Sequence, residues 1–514
     1  MIDFRKGTTT TSAGLPSSAP ETPAWVHDAV FYQIFPDRFA KSDRVAKPEQ
    51  RLESWDSPPT AEGFKGGDLL GVMERLDHLG ELGVNAIYLN PIFASASNHR
   101  YHAYDYYAVD PLLGGNQALR SLLDAAHDRG IRVILDGVFN HCGRGFWPFH
   151  HILETGAKSP YLDWFNVKGF PMHAYSDHGQ KPSYDAWWGL PALPKLNVAN
   201  PDTRAYLLDV AEYWIRFGAD GWRLDVPDEI DDAAFWRSFR ERVRSANPDA
   251  YLVGEIWHKA PEWLEGDRFD ALMNYPLSQV ALGFFAGKTL QMHYRPGGYE
   301  LKRYKTRETL AALVDLHTWY HPNVVYSQLN LLDSHDTPRF VTMAGGDVSA
   351  FHLATLMQMT LPGAPCIYYG DEIGLEGGPD PDCRRAFPWE KATWQQESWQ
   401  WTKQAVALRQ GHPVLRQGSF EPVYGHDQVL AYLRRDPGEA LLIVFNAGRE
   451  PATRRLPMPE AVAAGVMPVD LWGSLAGLSD PLWAQDAADG GATIEITLPP
   501  RSARVLSLTV HSQA

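Results

Sequence analysis

Three acidic residues each stand just past a short apolar run: Asp225 closing Gly221-Trp-Arg-Leu-Asp225, Glu255 in Leu252-Val-Gly-Glu255-Ile256, and Asp336 in Leu332-Asp-Ser-His-Asp336. A run such as Tyr251-Leu-Val-Gly254 is apolar on both faces and reads as a fully buried strand. A carboxylate just beyond such a strand cannot enter the core without a large desolvation cost. It belongs at the carboxyl end of a parallel sheet, where barrel enzymes assemble their active sites. Three carboxylates converging there suit cleavage of a glycosidic bond, which needs one acid and one ionised carboxylate around an oxocarbenium-like centre. The other reading of the same residues is three unrelated strand-end acids capping helices.

From Ala29 the chain alternates short apolar runs with amphipathic stretches. Strands are expected at 29–35, 85–89, 133–138, 221–224, 251–254, 271–274, 327–332 and 364–368. Helices are expected at 69–82, 119–129, 204–217 and 233–245; in the first, Leu69, Val72, Leu76, Leu79 and Leu82 recur at helical spacing. Eight strands with intervening helices predict the α/β class, a closed (β/α)8 TIM barrel rather than a doubly wound sheet.

Residues 140–200 break the rhythm with aromatics, His, Gly and Pro and little helical periodicity, and read as a loop domain inserted after strand 3, above the barrel mouth. Beyond 410 the pattern becomes short alternating strands such as 429–433, 440–445 and 493–498, which predicts a C-terminal antiparallel β-sandwich over 410–514. The barrel then takes 25–139 and 201–409, after a disordered lead-in at 1–24 rich in Thr, Ser, Ala and Pro.

A chain of 514 residues needs more than one core. The net charge of −15 argues against a nucleic-acid partner, which requires a basic surface. No apolar stretch is long enough to span a bilayer, and no signal peptide is visible. Cys142, Cys366 and Cys383 are too few for a disulfide framework and fit a reducing, cytoplasmic compartment. With 18 Trp and 22 Tyr, the chain has aromatic rings to spare for sugar platforms as well as for the core.

Four segments now stand together in order: Asp136-Gly-Val-Phe-Asn140-His141, Gly221-Trp-Arg223-Leu-Asp225, Gly254-Glu255-Ile-Trp257 and Asp333-Ser-His335-Asp336. They resemble the four motifs of the α-amylase family, glycoside hydrolase family 13, and the resemblance spans nearly the whole chain. Leu193-Pro-Lys195-Leu-Asn197, Val253-Gly-Glu-Ile-Trp-His258 and the segment 371–384 are similar to the neopullulanase, cyclomaltodextrinase and maltogenic amylase branch. That branch usually carries an N-terminal β-domain that builds a dimer and narrows the groove. Here few residues precede the barrel, so a monomer or a different dimer is expected, with a more open mouth. In the loop Asp37-Arg-Phe-Ala-Lys41-Ser-Asp43, Lys41 stands where the branch has an Asn calcium ligand, and an ammonium cannot ligate a hard cation. Calcium is therefore not expected there, Asp43, Gly66 and Asp68 being the remaining candidates, and no cofactor is required.

The resemblance implies a retaining hydrolase of α-1,4-glucans such as cyclodextrins, maltooligosaccharides or pullulan. It makes Asp225 the nucleophile, Glu255 the acid/base and Asp336 the carboxylate that grips the sugar hydroxyls. Arg223 would hold Asp225 ionised or serve as a barrel-mouth ion pair. His141 and His335 would donate to hydroxyls of the same sugar, and Tyr104 would stack beneath it. Asp380 and Arg384 match the pair that binds the next sugar. Trp257 is either an acceptor platform or an interior barrel aromatic, and Lys195 either an acceptor contact or an anchor. Asp136 is expected to order Arg223, and Asn140 to be a loop ligand or calcium contact. A transglycosylase on the same scaffold and a non-catalytic sugar-binding relative are the alternatives.

Overall fold

The computed structural model describes residues 20–175, 180–458, 468–472, 482–485 and 492–508. Eight strands form the first sheet: β1 (Phe31–Ile34), β2 (Ala86–Leu89), β3 (Arg132–Gly137), β4 (Gly221–Leu224), β5 (Tyr251–Gly254), β6 (Ala271–Leu272), β7 (Leu329–Leu331) and β8 (Ala364–Tyr368). All pairs are parallel, in the order β6-β5-β4-β3-β2-β1-β8-β7, and a parallel bridge from Met273 to Leu329 closes the ring. Apart from Arg132, every residue of these strands is buried, as expected when a barrel interior and a helical coat cover both faces. Phe31, Tyr88, Ile134, Val253, Leu331 and Cys366 fill part of the interior. The TIM barrel read from the chain is the observed fold.

The expected strand and helix positions hold within a few residues, and the differences have local causes. The first helix divides at Arg75 into Leu69–Glu74 and Leu76–Leu82. The sixth strand stops at Leu272 because Asn274 caps the helix Tyr275–Phe285, accepting from the Leu277 amide at 3.3 Å. Residues 140–200 contain a helix, Trp147–Thr155, that their composition concealed. Of the lead-in, residues 1–19 lie outside the described set, but 20–24 are tied to the barrel. Arg240 donates to the Glu21 carbonyl at 3.1 Å, and Asn323 to that of Pro20 at 3.1 Å. Among the described residues, no helix is long and apolar enough to cross a membrane.

The C-terminal strands make two antiparallel sheets. One contains Ser419–His426, Val429–Arg435, Ala440–Asn446, Ser502–Ser507 and Val469–Asp470, and the other Ala452–Pro457, Ala492–Leu498 and Leu482–Gln485. Val429, Leu442, Leu456, Ile494 and Leu506 interdigitate between them. Two buried guanidiniums join this domain to the barrel. Arg409 donates to the carbonyls of Met359, Leu361, Gly363 and Leu415, and Arg434 to those of Thr360, Leu415, Gly418 and Ser419. Replacing Arg434 by Met strands several buried carbonyls at once and is expected to cost about 2–4 kcal/mol. A thermal melt of Arg434→Met superimposable on that of the parent would show that this joint does not hold the domains.

Candidate active site

Arg223 sits in register opposite Asp136 on the neighbouring strand β3, so both side chains rise from the same rim of the barrel. Its Nη1 donates to Asp136 Oδ1 at 2.8 Å and to Asp225 Oδ1 at 3.0 Å, while Nη2 lies 2.9 Å from Glu255 Oε2. Three buried carboxyl groups thus share one guanidinium. Glu255 also accepts from the Val226 amide at 3.1 Å and from Trp257 Nε1 at 3.0 Å. Asp136 Oδ2 accepts from Tyr88 at 2.6 Å and Tyr101 at 2.8 Å, whereas the buried Asp225 Oδ2 has no partner within the protein.

One positive charge cannot balance three negative ones, so protons remain in the cluster. Burial is the largest cause and raises the proton affinity of Asp225 well above the usual carboxylate range; Arg223 opposes it, while Glu255, Asp136 and Asp336 add to it. Burial pushes Glu255 up to about 7, with Arg223 opposing and Asp336 adding. A carboxylic acid still protonated near neutrality is what a general acid needs.

A second chain of polar groups surrounds this cluster. Gln33, a polar residue inside strand β1, donates to Asn90 at 3.0 Å and to His335 Nδ1 at 2.8 Å. That leaves His335 Nε2 as the protonated nitrogen, 2.6 Å from the Tyr101 hydroxyl and 3.1 Å from Asp336 Oδ2. Burial, with Arg384 and Arg223 nearby, lowers the proton affinity of His335 and keeps it neutral. Asp336 is partly open to solvent and lies 3.3 Å from Arg384 Nη2; Arg384 Nη1 reaches Asp380 at 3.0 Å.

On the other side, buried His141 stacks on Trp187 at 5.0 Å between ring centroids, and its Nε2 has no protein partner. Burial pushes its pKa down to about 3. Asn140 lies 3.2 Å from His141 Nδ1 and keeps a buried, unpartnered Oδ1. Lys195 turns away to Glu229 Oε2 at 2.9 Å. Trp257 is partly buried, stacking on Tyr275 at 3.4 Å and packing against the barrel interior.

Tyr104 requires a correction of place. Its ring lies against the backbone of Gly143 and Gly145, within the hairpin strand Ala103–Val109, and the tyrosine stacked on His335 (5.6 Å, 1° between planes) is Tyr101. The two tyrosines are three residues apart, and only the start of the hairpin strand decides between them. Gln33, Tyr88 and Tyr101 went unread in the sequence. Gln33 had a signal, since a polar residue within a buried strand must find a partner.

The Alpha amylase, catalytic domain, model matches residues 33–434, and the Alpha amylase, C-terminal all-beta domain, model matches 424–509. The chain belongs to the α-amylase family. It is a glycoside hydrolase of that family, whose related members act on α-glucans. It is 44% identical to the cyclomaltodextrinase of Geobacillus thermopakistaniensis, over 85% of this chain and 72% of that protein. The crystal structure of Ttha1563 from Thermus thermophilus superimposes with a TM-score of 0.87 at 49% identity, covering 94% of this chain and 99% of the other. The debranching enzyme of Nostoc punctiforme gives 0.85 at 44% identity, covering 95% and 100%.

The first loop of this α-amylase family barrel does not fit a calcium ion. Asp68 is fully buried; it caps the helix Leu69–Glu74 through the Gly71 amide at 2.7 Å, accepts from the Ser42 amide at 2.8 Å, and holds the Lys47 ammonium in an ion pair. Asp43 points to solvent, and Lys41 lies over the Trp55 ring. A tethered cation already occupies the carboxylate that a metal would need. Among the described residues, no group of three or more His, Cys, Asp or Glu side chains offers another metal site.

Two outcomes are expected. A chelator leaves the melting temperature of the parent unchanged, while Lys47→Ala lowers it by several degrees because Asp68 is left as an unpaired buried charge. Melting that falls with EDTA and recovers with calcium would contradict this. For Glu255 the native proton affinity lies above the ordinary value of 4.5, so its contribution to stability is full below that pH and is lost as pH rises through about 7. Glu255→Gln removes that loss. The variant should melt with the parent near pH 5 and several degrees above it at pH 8; equal melting at both values would disprove a raised Glu255.

Proposed function

We propose that this chain hydrolyses α-1,4-glucosidic bonds of cyclodextrins, maltooligosaccharides or pullulan with retention, through a covalent glucosyl-enzyme. The observation that carries the reading is the placement of Asp225 and Glu255 on adjacent nitrogens of one guanidinium, at 3.0 and 2.9 Å. Sharing one guanidinium keeps the two carboxyl groups near each other, which supports the retaining arrangement, in which they stand ~5–5.5 Å apart with no water between them. With the proton of the shared cluster on Glu255, Asp225 is ionised against Arg223 and attacks the anomeric carbon through its unpartnered oxygen, while Glu255 gives its proton to the departing oxygen. Water then gives a proton to Glu255 and bonds to the anomeric carbon, breaking the ester bond to Asp225 and freeing its carboxylate.

Asp336 grips the sugar hydroxyls as the ring distorts, so its bonds act chiefly in the transition state. His141 Nε2, aimed into the site without a partner, and His335 Nε2 serve the same sugar, with Tyr101 rather than Tyr104 as its platform. Arg384 and Asp380 hold the next ring. Lys195, bound to Glu229, shapes the inserted segment. The three cysteines, all free and buried, support a reducing cytoplasmic setting.

Cleavage of α-1,6 branch points is the second reading. It is favoured by the likeness to a debranching enzyme, 44% identical with a TM-score of 0.85.

Following the first-formed anomer by NMR tests the mechanism: α-maltose or α-glucose should appear before mutarotation. Asp225→Asn is expected to lose at least about a thousandfold in turnover. Glu255→Gln should lose as much on glucans but far less on a glycosyl fluoride, whose leaving group needs no proton. A β-anomer as first product would overturn retention, and product profiles on pullulan and panose separate α-1,4 from α-1,6 cleavage.

A further inference from the structure

The turn at residues 186–193 presents a tryptophan that the described fold leaves uncovered. Trp188 is 79% exposed, yet its backbone takes the left-handed conformation (φ 51°, ψ 19°), which a bulky residue adopts only at a cost. The turn is not loose. The Trp187 amide donates to the Leu193 carbonyl at 2.9 Å, and those of Gly189 and Leu190 return to Ala186 and Trp187 at 2.9 and 3.0 Å. A strained position that buries almost nothing gains little from folding, so the ring is held out for something that covers it.

One face of Trp188 stacks on Trp187 at 4.4 Å and 13°, and Trp187 stacks in turn on His141 at 5.0 Å and 12°. The three nearly parallel rings form a ladder from buried His141, five residues past Asp136 of β3, to solvent. Two polar atoms along it, His141 Nε2 and Trp187 Nε1, are buried and lack a protein partner. We propose that the outer face of Trp188 is the stacking floor of an outer subsite, which binds a glucose ring of the α-glucan beyond those held at the carboxylates. The apolar C–H face of a pyranose matches a flat indole, and the neighbouring exposed Leu190 extends the apolar floor. The occupant is an α-glucan because the ladder is continuous with the site proposed above to cleave one, and the inference rests on that reading.

Binding is read in Asp225→Asn, by quenching of tryptophan fluorescence with maltoheptaose, and kinetics in the otherwise intact enzyme. Trp188→Ala should weaken maltoheptaose binding and raise its KM about tenfold, with kcat and activity on a single-ring glucosyl fluoride within twofold of the parent. Its melting temperature should not move, since the ring is exposed, and Trp188→Tyr should recover most of the affinity. Unchanged KM and unchanged quenching in Trp188→Ala would overturn the subsite, as would an equal loss on the single-ring substrate. The two readings fail separately. Substantial turnover by Asp225→Asn would remove the proposed nucleophile, while maltoheptaose binding lost with Trp188 would still stand.

Discussion

The buried guanidinium of Arg223 is the constraint on which the site depends. A carboxylate taken out of water without a partner carries a penalty of several kcal/mol, and here Asp136, Asp225 and Glu255 are all buried around a single cation. Without Arg223 the cluster could not be assembled with any of its members ionised. With it, the charge is still unbalanced, and that imbalance supplies the proton that Glu255 holds near neutrality. The stability sacrificed by burying these acids is the source of their reactivity.

Register makes the arrangement possible. Asp136 lies opposite Arg223, which lies opposite Val253, two residues before Glu255. A slip of one residue would turn every one of these side chains to the other face of its strand. The outer polar chain adds a cross-check, because Gln33 from β1, Tyr88 from β2, Asp136 from β3, and His335 beyond β7 meet through Tyr101. Strands far apart in sequence must all be home before the whole set is satisfied, which ties the geometry of the site to closure of the barrel.

Much of this was legible in the chain because barrel strands are short, apolar on both faces and followed at once by polar residues. Asp225, Glu255 and Asp336 announce themselves against that background, and the strands 221–224, 251–254 and 364–368 were placed to the residue. Legibility fails where position depends on contacts distant in sequence. The choice between Tyr101 and Tyr104 turns on where a hairpin begins, and the helix Trp147–Thr155 hides in a segment whose aromatics mask its period. Trp257 packs on Tyr275, which belongs to the next helix and is not adjacent in sequence.

The first loop shows the same dependence in another form. Two lysines act as internal cations there: Lys47 on the buried Asp68, and Lys65, whose Nζ reaches the Ser54 carbonyl and both oxygens of Ser57 at 2.6 Å each. Composition alone would put both ammoniums in solvent, where nearly all lysines lie. Inside the fold each does what a bound metal ion does for a loop, drawing oxygens from separate turns onto one positive charge. A tethered ammonium needs no free ion in solution and dissociates only when the loop itself opens, so the strength of the clasp does not vary with ion concentration. An ammonium nevertheless offers only three donors where calcium takes six or more ligands, so it organises fewer groups around itself. The loop makes up the difference by dividing the task between two lysines, each with its own set of oxygens.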